Sequence, residues 1–381
     1  MSALCRRYIY KKTRMTSLPT VQELRNVIPT HCFERSFWSS LWYTMVSATL
    51  TASLACVATL VLPVPSLDPG IFVIWTAFAA VQGTVLFGLW IIAHECGHGA
   101  FCDTAWVNDV IGFTIHSLLL VPYAMWQHSH TVHHARTNHV TEGETHVPYV
   151  DHGTTPTITR VVAGTLEALA PIAGLVQLAS HLGVGWVAYL LVGATGSPTR
   201  GWTSHFVPWN RQLFPRHKWK RYLLSTAGIL LVLAAVYLWW CRRGTAEVLA
   251  YYVGPLLVAN AWVSGMTWLQ HTDVYIPQLD DEAWTWVRGA LCTIDRPYHW
   301  LLDWLHHRAG TTHVAHHLFP TIPHYHAQEA TRALRAAFPE YCRVDPTPVT
   351  QALWRIAQKC VLVVHPRGDG TYWYRTRPPQ R

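Results

Sequence analysis

Long uninterrupted apolar runs dominate the pattern of this chain. Four of them contain no Asp, Glu, Lys, Arg or His: Leu41–Leu62, Ile71–Ala93, Leu223–Trp240 and Val248–Leu269, with lengths of 22, 23, 18 and 22 residues. A hydrocarbon layer roughly 30 Å thick takes about 20 helical residues, so each run is long enough to span a bilayer. Pro63–Gly70, with three prolines and a glycine, separates the first two runs, and Cys241–Glu247 separates the last two. Links this short make neighbouring helices antiparallel. The pattern therefore predicts an all-α integral membrane protein with two transmembrane helical hairpins, four spans in all. Two weaker stretches are read as interfacial or buried helices. Val110–Trp126 is interrupted by His116 and Pro122, and Val161–Thr195 by Glu167, Pro171 and His181. If either crossed fully, the later histidines would change sides.

The polar remainder divides the chain into 1–40, the first hairpin 41–93, then 94–222, the second hairpin 223–269, and 270–381. Of the 29 Lys and Arg residues, 27 fall in the three non-hairpin regions, as do all 24 His. The positive-inside rule makes that side cytosolic, forming a helical cap. Trp42, Trp90, Trp239, Trp240 and Trp268 stand near run ends, where interfacial aromatic belts form.

Composition agrees. The chain has 381 residues, 50% of them hydrophobic and only 13% charged. A soluble domain carries roughly 25% charged residues, and a disordered chain could not be this apolar. The net charge of +8 is explained by the cytosolic-side bias, and no aromatic-interleaved basic motif points to nucleic acid. Nine scattered cysteines without a C-x-x-C pair form no disulfide framework and fit a reducing compartment. Arg6, Arg7, Lys11, Lys12 and Arg14 make a basic N-terminus without the apolar core of a secretory signal. It reads as a cytosolic tail, with an organellar transit peptide, or a start at Met15, as alternatives.

Histidine carries the chemistry. His94-Glu-Cys-Gly-His98 follows the second run, and positions i and i+4 share one helix face. Alone it matches the H-E-x-x-H pattern of zinc proteases. Two further clusters, His130-Thr-Val-His133-His134 and His313-Val-Ala-His316-His317, both read H-x-x-H-H. Zinc is usually satisfied by four ligands, so eight imidazoles exceed what one ion uses and suit two metals. Imidazole accommodates Zn, Cu, Fe and Ni. The membrane setting and the absence of Cys ligands favour oxygen-activating iron. Glu95 lies about 100° around the helix from His94 and reads as supporting rather than bridging.

These three boxes, in this order, resemble those of the membrane fatty acid desaturases, plant-type microsomal oleate (Δ12) desaturases in particular. The likeness extends to Ile28–Ser36, Ala93–His98, His116–Tyr123, Leu269–Thr272, Thr312–Phe319, Pro323–Ala327 and Tyr372–Tyr374, and so covers roughly residues 18 to 375. The resemblance implies a non-haem di-iron centre on the cytosolic face of the endoplasmic reticulum. It implies O2-dependent removal of two hydrogens from adjacent methylenes of a phospholipid-bound oleoyl chain. A separate cytochrome b5 or similar donor, with its NADH-dependent reductase, would supply the electrons. By motif, the implied ligands are His94, His98, His130, His133, His134, His313, His316 and His317, with His271 as a ninth and His307 as a supporting histidine. A dry apolar tunnel would have to measure position along the chain by shape.

Several positions depart from the family pattern. Thr131 and Val132 replace the arginines of H-R-R-H-H, Gly99 replaces a histidine after the first box, and Asp273 replaces a histidine after His271. No aromatic retrieval signal is evident in Arg375–Arg381. The basic group Arg211, Arg216, Lys218, Lys220 and Arg221 reads as ordinary cytosolic-side charge rather than a donor-docking surface. His365-Pro-Arg-Gly368 echoes the haem motif of cytochrome b5, but too few residues follow for that domain. Gln82 and Asn260, inside runs, read as helix–helix bonding residues. Within the same resemblance, hydroxylase, acetylenase, conjugase and ω-3 activities are alternatives, as is a plastid or other organellar membrane. A zinc protease built on His94, Glu95 and His98 would leave two boxes unused, and a metal transporter would need polar spans that this chain lacks.

Overall fold

A computed structural model of the protein describes residues 18–151, 169–210, 212–364 and 368–374. The basic stretch Arg6–Arg14, Glu167, Arg211, most of the His365–Gly368 motif and the Arg375–Arg381 tail lie outside the described residues.

A short amphipathic helix, α1 (Val21–Asn26), opens the described chain behind a Thr20–Glu23 capping box. The long helices α2 (Phe37–Val61) and α3 (Pro69–Gly97) follow. Ser36 caps the first of these. Asp68 caps the second, with Pro69 in the first turn, where its missing N–H costs nothing. Both predicted runs are thus helices, and both overrun the apolar segment. A helix ends where its backbone groups find caps, not where hydrophobicity ends. The overrun carries His94 and His98 on the last turn of α3 and its cap.

Helices α4 (Ala105–Leu118) and α5 (Tyr123–Ala135) meet at 106°, with Leu120 at the bend in left-handed backbone (φ 55°). Next come α6 (Ala170–Ser180) and α7 (Trp186–Val192), joined by the π-turn His181–Gly185. The second predicted hairpin is α8 (Trp219–Arg243), then α9 (Thr245–Val248) running through a π-turn into α10 (Gly254–His271). Among the described residues, five helices are long and apolar enough to cross a membrane, or six if the bent pair is one span. The fifth is Pro171–Val192. The four predicted runs are therefore all present, and a further apolar helix joins them.

The spans pack on one another and expose apolar side chains outward. Gln82 of α3 donates its amide to the Thr51 carbonyl of α2 at 2.9 Å, as read for that residue, and Trp262 of α10 donates to Thr84 of α3 at 2.9 Å. Leu60 and Leu231 are 79% and 73% exposed, which suits lipid contact and not water.

The remaining elements cover one end of the helices: α11 (Trp286–Ala290), α12 (Trp300–Leu305), α13 (His313–Leu318), α14 (His324–Ala337) and α15 (Val349–Lys359). The expectation of a purely helical chain is corrected here. Strands β1 (Tyr149–Asp151), β2 (Gln278–Leu279), β3 (Leu362–Val364) and β4 (Thr371–Tyr374) form a sheet of order β1-β3-β4-β2, parallel only between β1 and β3. Strands of two to four residues are too short for alternation to be legible.

A buried ionic knot ties this end together. Asp273, just past α10, holds Arg296 at 2.7 Å and Arg355 of α15 at 2.5 Å. Asp345 contacts both arginines, and Arg296 also donates to the Leu269 carbonyl at 2.6 Å. The Asp273 and Arg296 side chains are fully buried. The acid at 273, a departure from the family pattern, is thus matched by two guanidinium groups that fix the end of α10.

Candidate metal centre

Four segments bring nine histidines to one place. The end of α3 supplies His94 and His98, α5 supplies His130, His133 and His134, the last residue of α10 is His271, and α13 supplies His313, His316 and His317. They separate into two adjoining groups. In the first, His94, His98, His130, His134 and His316 each offer a nitrogen, all within 4.8 Å of one another. In the second, His133, His271 and His317 do the same. His313 joins the second group, its Nε2 lying 2.9 Å from Nε2 of His271. The groups touch where His134 stacks on His317, ring centroids 4.1 Å apart.

The nitrogen spacings suit a bound metal. Nε2 of His94 is 2.9 Å from that of His130 and 3.3 Å from that of His98, and Nε2 of His130 is 3.2 Å from that of His134. In the second group His133 and His271 are 3.2 Å apart at Nε2. An imidazole nitrogen carries either one proton or one lone pair, so His94 Nε2 cannot bond both neighbours. Metal–nitrogen bonds of about 2.1 Å put two ligand nitrogens about 3.0 Å apart at a right angle and about 3.4 Å at a tetrahedral angle. The observed contacts fall at those values. Nε2 of His316 and of His317 are also buried without a hydrogen-bond partner.

Neighbouring groups set the tautomers. Thr137 Oγ1 donates to the His133 carbonyl at 2.8 Å, which leaves its lone pair facing Nδ1 of His317 at 3.1 Å. The proton of His317 therefore sits on Nδ1, and Nε2 is free to bind. Burial, and after it the neighbouring His94, pushes the His316 imidazole down to about 3, so it is neutral at physiological pH. Glu95 Oε1 lies 3.3 Å from Nδ1 of His94, on the side remote from Nε2, and Oε2 accepts the His324 backbone N–H at 3.0 Å. This carboxylate lies behind His94 but makes no hydrogen bond to it; Nδ1 of His94 is buried without a partner. It is not placed as the base of a zinc protease.

Sequence reasoning missed Thr137 and His324, which belong to no box. His307 stands away from the nine: its Nε2 is 3.1 Å from Ser47 Oγ, and its ring meets Tyr43 and His324. Its described contacts include no box histidine.

A cavity opens on the cluster. Its lining brings His94, His133, His271 and His316 together with Phe87, Ile91, Val263, Met266 and Ile322. The departures from the family pattern lie outside it. Thr131 bonds the Gln127 carbonyl on the outer face of α5, and Val132 packs with Leu213 and Phe214. Gly99 turns the chain after α3 in left-handed backbone (φ 69°), a conformation that suits glycine and strains most other residues. Of the basic group, Arg221 is paired with Asp109 at 2.6 Å.

Comparison with known proteins adds a family. Residues 69–347 match the sequence model of the family described as fatty acid desaturase. The Δ12 fatty acid desaturase FAD2 of Calendula officinalis is 38% identical over 362 residues, covering 94% of this chain and 91% of that protein. A protein of Brassica juncea named omega-6 fatty acid desaturase, endoplasmic reticulum, is also 38% identical, covering 94% and 92%. The oleoyl-12-hydroxylase FAH12 of Ricinus communis is 36% identical, covering 94% and 91%.

Proposed function

Because this chain belongs to the fatty acid desaturase family, a family of membrane oxidoreductases, we propose that it converts lipid-bound oleoyl chains to linoleoyl by Δ12 desaturation. The observation that carries this reading is the pair of histidine groups facing an apolar cavity, in a chain whose similar relatives include named Δ12 desaturases. Two irons are assigned to the two groups. His94, His98, His130, His134 and His316 would hold one, and His133, His271, His313 and His317 the other. The chemistry a bound iron pair supplies is O2-dependent removal of one hydrogen from each of two neighbouring methylenes.

The protein supplies position. A chain arriving from a bilayer is already out of water, so burial in the cavity gains it little. Selection of one C–C bond rests on shape, set by Phe87, Ile91, Val263, Met266 and Ile322. The hydrophobic wall also keeps water from the histidines, which the desolvated imidazoles require to stay neutral. Thr137 holds His317 in the ligating orientation.

Topology follows from convergence. Box one and His271 share one site, so an even number of crossings must separate them. Box one precedes the bent α4–α5 pair and box two lies on α5, and both reach the same site, so that pair stays on the histidine side; with α8 and α9–α10 as a hairpin, Pro171–Val192 then stays there too. The bend of 106° agrees with this, and with four spans. The Lys and Arg bias supports a cytosolic site, and a relative named for the endoplasmic reticulum supports that membrane. Electrons would come from a cytochrome b5-type donor.

Expression in a yeast that makes no polyunsaturated fat tests the reading. A new Δ9,12 dienoic acid is expected, absent with His316→Ala. A 12-hydroxy acid instead would move the chain to the hydroxylase branch, and an unchanged profile with membrane-inserted protein would count against both.

A further inference from the structure

Two cavities meet at one side chain. His307 lines the histidine cavity, and it also lines a second pocket walled by Trp42, Val46, Ser47 and Leu50 of α2 with Trp304 and Leu305 of α12. Among the described residues it is the one side chain common to both linings. The second pocket is apolar and opens on an exposed face of a helix long enough to span the membrane. Trp42 is 67% exposed and Trp304 47%. These are large apolar side chains that lipid would cover.

The partition between the cavities is built to hold a shape. His307 and Arg308 both lie in left-handed backbone, φ 51° and 63°. Non-glycine residues keep such conformations only where the surroundings enforce them. His306 enforces it from one side, with Nε2 3.1 Å from the Thr84 carbonyl and its ring edge-on to Phe87 and near Trp262. Gly88 enforces it from another: a Cβ there would stand 2.5 Å from the Leu305 carbonyl, so the turn lies directly on the α3 backbone. The His307 ring stands across the gap, in contact with the Ser47 hydroxyl at 3.1 Å and with the Gly88 carbonyl, and edge-on to Tyr43 and near His324. The backbone of the turn is thus fixed, and the buried His307 side chain closes it.

We propose that the outer pocket is the mouth through which the acyl chain of a membrane lipid passes sideways from the bilayer into the histidine cavity, and that His307 with Ser47 is the partition it displaces. This rests on the desaturase reading. The occupant follows from physical chemistry. An acyl chain still attached to a membrane lipid cannot reach the cavity through water without exposing its methylenes, each of which resists exposure. It needs an apolar opening on the lipid-facing surface. The α2–α12 pocket is such an opening, and the His307 ring stands between it and the histidine cavity as the one residue lining both.

Photolabelling tests this directly. Membranes holding the full-length wild-type protein are given a phosphatidylcholine whose oleoyl chain carries a diazirine between the carboxyl group and the Δ9 bond, and labelled peptides are identified by mass spectrometry. Label is expected on residues 42–50 and 304–307. In parallel, Leu50→Trp narrows the mouth while Leu60→Trp changes the far end of the same helix. The apparent KM of Leu50→Trp for phospholipid-bound oleoyl should rise about tenfold with kcat and metal content unchanged, the signature of lost access rather than lost chemistry. Leu60→Trp should match wild type. Label in the histidine cavity with none on the α2 or α12 residues overturns the proposal, as do wild-type kinetics in Leu50→Trp. If Leu50→Trp fails to accumulate, the wild-type labelling decides alone. Absence of any dienoic product from wild-type membranes would instead sink the desaturase reading, so the two failures are distinct.

Discussion

Thr137→Val replaces a hydroxyl by a methyl of nearly the same shape and isolates one orienting contact. The Thr137 hydroxyl has one proton, given to the His133 carbonyl at 2.8 Å, and a lone pair that receives Nδ1–H of His317 at 3.1 Å. Valine removes both bonds from a site that is 1% exposed, where no solvent replaces them. A net hydrogen bond contributes about 0.5–1.5 kcal/mol, and a buried donor left unpaired costs about 1–3 kcal/mol. His317 can avoid the second cost by moving its proton to Nε2, but that closes the nitrogen assigned to the metal. Either route weakens binding. Loss of such an orienting partner lowers metal affinity or activity about 10- to 100-fold, or about 1.4–2.7 kcal/mol. The assay is metal retained per chain in detergent-purified protein across a chelator series, alongside dienoic acid in yeast. Thr137→Ser, which keeps the hydroxyl, should restore both. Thr137→Val with wild-type retention and turnover would refute the assignment of His317 as a ligand held by Thr137.

Other parts of the structure give independent expectations. Asp273→Ala leaves the fully buried Arg296 without one of its carboxylates. Breaking a buried pair from one side costs about 3–5 kcal/mol, so the variant should show a large drop in thermal unfolding temperature or fail to accumulate. At Gly99, φ is 69° and no atom lies within 4 Å of an added Cβ, so only backbone conformation is penalised. Gly99→Val should destabilise by at least about 1–2 kcal/mol and Gly99→Asn by less, read from unfolding midpoints. Burial raises the Glu144 carboxyl from 4.5 to about 8, partly opposed by the Tyr189 hydroxyl that bonds it at 2.7 Å. The folded state then keeps a proton that the unfolded state has released. The stability Glu144 contributes is full below about pH 4.5 and is lost as pH rises towards 8. Glu144→Gln should flatten that slope in unfolding measured across the window, and an unchanged slope would show that another group produces it.

What was legible in the sequence was whatever is written locally. Histidines spaced i, i+3 and i+4 must share a helix face, so His130, His133 and His134 announce a metal surface before any fold is known. Apolar runs of 18 to 23 residues announce spans in the same way. What was illegible is set by distance. Asp273 meets Arg355 across 82 positions, and Thr137 meets His317 across 180. Arg355 and Thr137 are unremarkable in their own neighbourhoods, so neither partnership could be read from them. The fifth apolar helix was read as interfacial or buried, because Pro171 and His181 interrupt the run; in the structure a π-turn absorbs the irregularity without ending a helix long enough to span. The box spacing also gave no sign that the nine histidines divide between two groups. That division depends on His271 arriving from α10 beside His133 and His317.

The most direct test of the two-group site is metal analysis of the purified chain. The account predicts about two iron atoms per chain in the wild type, and about one when either His130 of the first group or His133 of the second is replaced by alanine. A wild-type protein that is active with a single metal, or that carries zinc in place of iron, would contradict it.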